Sequence, residues 1–287
     1  MAKIFMNLLF PVLAAVLQAG SFTLDKVILS IRRVSFKTYT GVSFPLIFLI
    51  TLVIFLIFRP PLSFGLLAGN LWLVFLVSIS LSIITNLVFY RALDADKLGE
   101  IQTFDLLHSF PIIIFSSIIF TDERNFTVII PALFASLAII WSHWERHHFK
   151  IAKYTLPFLI WSLSAAPVGA VMSKILLASW NPISLELVRS GTMALVLGPL
   201  FFKYAIKIPS KAFSILLITN ILTSVAWILF YFSYQRLGIV FTILIFSLQP
   251  LLVYFSSVFF LKEKLQWKKA VAFVIVLVSI ATAQIIG

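Results

Sequence analysis

Asp105 and His108 stand three residues apart in a stretch, Leu98 to Pro111, that opens an apolar run reaching Phe120. That spacing puts both side chains on one face of a helix. A carboxylate beside an imidazole can hold a cationic or zwitterionic solute, exchange protons with it, or do both. Glu100 and Gln102 lie one turn earlier, and Pro111 would leave the carbonyl of Leu107 without its helical donor. Ionisable groups at membrane depth cost at least ~2.5–3.5 kcal/mol, so they normally face a cavity or a partner. The stretch therefore reads as the wall of a polar cavity. The alternative is a mutually satisfied pair that only fixes helix packing, and Glu100 reads equally well as a solvated helix-end charge. Glu186 and Arg189 share the three-residue spacing. They are expected to form a local structural ion pair, with a gate or carboxylate-binding role for Arg189 as the alternative.

The elements that position these groups follow from composition. The chain has 287 residues, of which 61% are hydrophobic and 11% charged, and a mean hydropathy of +1.10. Its apolar residues come in unbroken runs of about 20, the length that spans a ~30 Å hydrocarbon layer as a helix. Backbone groups in lipid must be satisfied within the segment. The expected fold is all-α and integral to a membrane, with ten transmembrane helices at 4–24, 38–58, 71–93, 98–120, 126–144, 154–178, 183–206, 212–234, 237–261 and 268–286. The first run is long for a signal peptide and is read as a retained helix. The absence of cysteine excludes disulfides and thiolate chemistry. The net charge of +12 is concentrated in short connections, as membrane topology predicts, so the expected partner is the lipid bilayer and not nucleic acid. His143, His147 and His148 with Glu145 match no established ligand set, and neither a metal nor any other cofactor is expected. No phosphate-binding loop is present.

The second half repeats the first. Leu98, Gly99, Thr103 and Pro111 recur 139 positions later as Leu237, Gly238, Thr242 and Pro250; after a one-residue shift, Ser116, Ser117, Phe120 and Glu123 match Ser256, Ser257, Phe260 and Glu263. Leu244 and Ser247 stand where Asp105 and His108 stand, so that pair belongs to one half alone. Two homologous five-helix halves must be inverted relative to each other, because five is odd. The expected units are residues 1–146, a linker at 147–153, and residues 154–287. Such repeats place a substrate site near midplane. Pro111 and Pro250 are candidate paired hinges. Sixteen of the 22 Lys and Arg fall after odd-numbered helices, which predicts that this face is cytoplasmic and both termini lie outside.

Ten spans, paired five-helix halves and the matched segments Leu98 to Glu123 and Leu237 to Glu263 resemble the drug/metabolite transporter superfamily, in its EamA-like branch. The resemblance covers essentially the whole chain and includes Arg189 early in helix 7. It implies an acidic residue after helices 4 and 9, here Glu123 and Glu263, although Asp122 and Lys262 replace the usual preceding glycine. It also implies cytoplasmic termini, against the charge count. A central cavity lined mainly by helices 1, 3, 4, 6, 8 and 9 is expected, and the superfamily's name supplies no ligand. On those helices Tyr90, Trp161, Trp227 and Tyr231 are candidates to cradle a cation or stack on a planar solute; the alternative is core packing. Gln18, Asn86, Asn220 and Gln249 add amide groups.

The expected function is secondary, alternating-access transport, as an exporter, of a small polar or amphipathic metabolite such as an amino acid or amine, with proton coupling at Asp105 and His108. The expected location is the plasma or inner membrane, the expected state a monomer. A flippase for a lipid-linked sugar is the alternative. No catalytic set for an enzyme is evident.

Overall fold

The computed structural model describes residues 2–32, 34–62, 68–96, 98, 101, 106–142, 144, 153–204, 208–261 and 267–286. These are all-helical, without strands among the described residues. The helices are α1 (Ala2–Leu29), α2 (Phe36–Phe58), α3 (Leu71–Ala95), α4 (Ser109–Ile119), α5 (Phe126–Ser142), α6 (Thr155–Leu177), α7 (Pro182–Tyr204), α8 (Ser210–Leu237), α9 (Ile239–Phe246), α10 (Leu248–Leu261) and α11 (Trp267–Ile286). Helices α9 and α10 are two parts of one rod, so the described helices form ten rods. Seven described helical runs are long and apolar enough to cross a membrane, and three shorter apolar helices accompany them.

Local chemistry sets the helix ends. Ser35 caps α2 by accepting from Thr38 N (3.4 Å), Asn125 caps α5 through Thr127 N (3.0 Å), and Asn181 caps α7 through Ile183 N (2.9 Å). Inside the rods, hydroxyls return to the preceding turn. Thr40 donates to Phe36 O, Thr51 to Ile47 O, Ser136 to Ala132 O and Ser233 to Leu229 O. Such bonds let Ser and Thr enter an apolar layer without stranded donors.

The rods pair across the two halves of the sequence. The most extensive contacts are α1 with α8, α2 with α7, α3 with α6, and α5 with α11. Gly191 lets α7 approach α2 closely, since an added Cβ would lie 3.1 Å from the Phe48 ring.

Two features depart from the spans drawn on the sequence. Helix α1 continues to Leu29, so Asp25 and Lys26 lie inside it; Lys26 Nζ reaches back to Leu93 O and Asp96 O at 2.7 Å each. The expected span 98–120 is not one α-helix either. A 3-10 turn at Leu106–His108 precedes α4, so Pro111 falls in the first turn of α4, where a missing N–H removes no helical bond. The same break separates α9 from α10 at Ser247, with Pro250 two residues into α10.

Candidate substrate cavity

A cavity of about 250 Å³ lies at the centre of the rods. Its walls come from the helices expected around it, together with α2 (Phe44, Ile47) and α7 (Glu186, Arg189, Ser190, Met193). Gln18, Asn86, Tyr90, His108, Trp227, Tyr231 and Gln249 all line it. His108 reaches it from the break before α4, and Gln249 from just after the break before α10. Asp105 and Gln102 lie outside the described residues, as do Glu263 and the histidine cluster of the linker.

Trp161 stands apart from the lining. Its Nε1 donates to Thr85 Oγ1 at 2.8 Å, and Thr85 is the residue that faces the cavity. Trp161→Phe should therefore cost about 1 kcal/mol for the lost bond and leave ligand binding unchanged, which a thermal-shift titration would show.

The strongest electrostatic feature is on α7 and α8. Arg189 Nε donates to Glu186 Oε2 (2.8 Å) and Nη2 to Oε1 (3.2 Å). This is the local ion pair expected from the spacing, and it is buried yet lines the cavity. The guanidinium carbon sits 4.5 Å from the centroid of Trp227 and 5.6 Å from that of Tyr231. Those rings are four residues apart on α8 and so form one platform. Planar, weakly hydrated guanidinium suits such stacking. Glu186 engages two of its five N–H groups, leaving three toward other partners. A cation and an anion are thus presented side by side on an aromatic wall.

At one end of the rods, Glu123 is buried and accepts the backbone N–H of Ile239 (2.7 Å) and of Val240 (3.0 Å) at the start of α9. Lys174 of α6 bonds the same carboxylate and also Asp122 (2.5 Å). Carboxylate at a helix N-terminus satisfies donors that have no helical partner and complements the helix dipole.

Sequence reading missed Asp25. It is fully buried and accepts from Tyr39 and Thr219, and Thr219 is bonded in turn to Ser21. A usable signal existed: Gln18, Ser21 and Asp25 fall at i, i+3 and i+7, one helical face, provided the helix is carried past Leu24.

Apolar helices of membrane-spanning length around a polar, aromatic-walled chamber define a multi-pass membrane protein. Residues 155–283 match the EamA-like transporter family, consistent with the drug/metabolite transporter superfamily, whose members are transporters and not enzymes. A solved structure titled "Crystal structure of protein" superposes with a TM-score of 0.73 at 14% identity, over 98% of this chain and 98% of that one, and so shares the fold. No curated protein matches at the level of sequence.

Proposed function

We propose that this protein is an alternating-access secondary transporter, an exporter, whose substrate is a small zwitterionic or cationic metabolite of the amino acid or amine class. The observation that carries this is the Glu186–Arg189 pair, set on the Trp227–Tyr231 platform and open to the cavity. A zwitterion can exchange partners with such a pair, its carboxylate taking Arg189 and its ammonium taking Glu186. Each charge then moves from one hydrogen-bonded partner to another, and none is left bare. Asn86, Gln18, Gln249 and His108 supply the orienting polar groups.

Two inverted five-helix repeats, residues 1–146 and 154–287 about a linker at 147–153, are part of this reading. Exchanging each helix with its counterpart five rods away turns the α1–α8 contact into the α3–α6 contact and maps α2–α7 and α5–α11 onto themselves. The starts of α4 and α10, Ser109 and Leu248, are 139 residues apart, the offset found in the sequence. Breaks at matching places, followed by Pro111 and Pro250, suit a hinge in each half.

Ligand-induced stabilisation tests the proposal. Purified protein is titrated with amino acids, amines, nucleotides and polyprenyl phosphates while its unfolding temperature is followed. A ligand at 100 times its Kd stabilises by about 2.7 kcal/mol. Stabilisation by amino acids or amines, lost in Trp227→Ala, is the expected result. A response to polyprenyl phosphates alone would replace this reading with that of a lipid-carrier flippase.

A further inference from the structure

Asp25 is 0% exposed and stands on α1 about one turn from Phe22 and two from Gln18, both on the cavity wall. Its Oδ1 accepts from Tyr39 Oη and from Thr219 Oγ1, each at 2.6 Å. Its Oδ2 has no hydrogen-bond partner among the described residues. No described Lys or Arg pairs with it, since neighbouring Lys26 is turned to the carbonyls of Leu93 and Asp96.

Among the described residues, the other titratable groups around it supply no cation. Helix α2 brings Tyr39, and α3 brings Tyr90, whose ring lies 4.5 Å from that of Tyr39. At the end of α3, Asp94 accepts from Phe36 N and Asp96 from Thr155. The facing part of α8 offers only Thr219, Asn220 and Thr223. Helix α10 carries Tyr254 as its one titratable residue, and α9 carries none. A carboxyl group buried without a cation is expensive as a permanent charge, so a proton is its natural counter-ion.

A continuous chain of hydroxyls joins this group to the cavity. Thr219 Oγ1 is 2.8 Å from Ser21 Oγ, and Ser21 Oγ is 2.5 Å from Thr223 Oγ1. Thr223 lines the cavity. The Thr219 hydroxyl has one proton but three acceptors in range: Asp25 Oδ1, Ser21 Oγ and, at 3.0 Å, Ser21 O. It can therefore donate to a charged Asp25 and turn away from a protonated one.

We infer that Asp25 is a proton-binding site that exchanges with the central cavity through Thr219, Ser21 and Thr223. On release, Asp25 gives its proton to Thr219, which passes its own to Ser21, and Ser21 to Thr223. Thr223 passes one proton to a cavity water. Each hydroxyl gains one proton and loses one, Asp25 becomes carboxylate, and the water becomes hydronium. The use of this site for coupling rests on the transporter reading; the site and its relay do not.

Infrared difference spectroscopy on the full chain in lipid nanodiscs, stepped in pH, tests the inference without a transported ligand. The expected result is a protonated-carboxyl stretch that appears on acidification and is lost in Asp25→Asn. Tyr39→Phe, which keeps the carboxyl but removes a donor, should move the band to higher frequency, and this variant decides the matter if Asp25→Asn does not fold. Ser21→Ala should keep the band but slow its deuterium shift at least tenfold after transfer to heavy water. A band unmoved in Tyr39→Phe and retained in Asp25→Asn would overturn the site. Wild-type exchange in Ser21→Ala would overturn the relay. Absence of substrate flux, with these bands as expected, would instead count against the transporter reading.

Discussion

Gly238→Ala is expected to be among the most damaging single-methyl additions in the chain. At φ +79° and ψ 176°, Gly238 occupies a region essentially restricted to glycine, and forcing another residue into it costs of order 1–3 kcal/mol. The new methyl would also lie 2.7 Å from Glu123 Oε1 and 2.8 Å from Oε2. It must push the carboxylate off the N–H groups of Ile239 and Val240 and away from Lys174. Breaking a buried ion pair by disturbing one partner costs about 3–5 kcal/mol, so the combined loss should leave little folded protein. The measurement is an unfolding midpoint in nanodiscs, read for Gly238→Ala, Glu123→Ala and the double variant. Once the carboxylate is gone, the methyl has less to collide with. The double variant should therefore be less impaired than the sum of the singles, by about 0.5–3 kcal/mol. Strict additivity would show that Glu123 and Gly238 are not one unit.

Glu186→Gln should have a comparable effect on stability for a different reason. It leaves the Arg189 guanidinium buried beside two rings with a neutral partner, a change worth about 3–5 kcal/mol. Removing both charges, in Glu186→Gln with Arg189→Met, should recover most of that loss, because a buried pair is costlier to break than to replace. Arg189→Lys separates stability from binding. It keeps the positive charge but loses the fork geometry and the stacking on Trp227. Its unfolding midpoint should fall less than that of Glu186→Gln, while stabilisation by amino acids should vanish. Retained stabilisation in Arg189→Lys would remove Arg189 from the binding site.

The rods themselves were legible because lipid imposes one rule, a long apolar run closed on its own hydrogen bonds. Pro111 and Pro250 were read as hinges within single spans, whereas each stands in the first turn of the helix that follows a break. Asp25 was overlooked, despite its place on the face of Gln18 and Ser21, because a competing signal masked it. Two charged residues in succession after Leu24 look like the end of a membrane helix. Yet Lys26 satisfies itself on the carbonyls at the end of α3, while Asp25 is sheltered by hydroxyl donors, one of them 194 residues away. Glu123 was noticed as a repeat match to Glu263 and as a family mark, without a partner. Its action on Ile239, 116 residues on, depends on a tertiary contact. Trp161 was placed correctly on its helix but faces Thr85 and not the chamber.

The pairing of α1 with α8 carries a consequence for biogenesis. Helix α1 enters the bilayer first, but Thr219, the partner that completes the shelter of its carboxyl group, is translated only after most of the chain has been inserted. During synthesis the nascent first helix must keep Asp25 near the aqueous boundary or in the care of the insertion machinery. Final docking therefore has to wait until the eighth rod has left the ribosome.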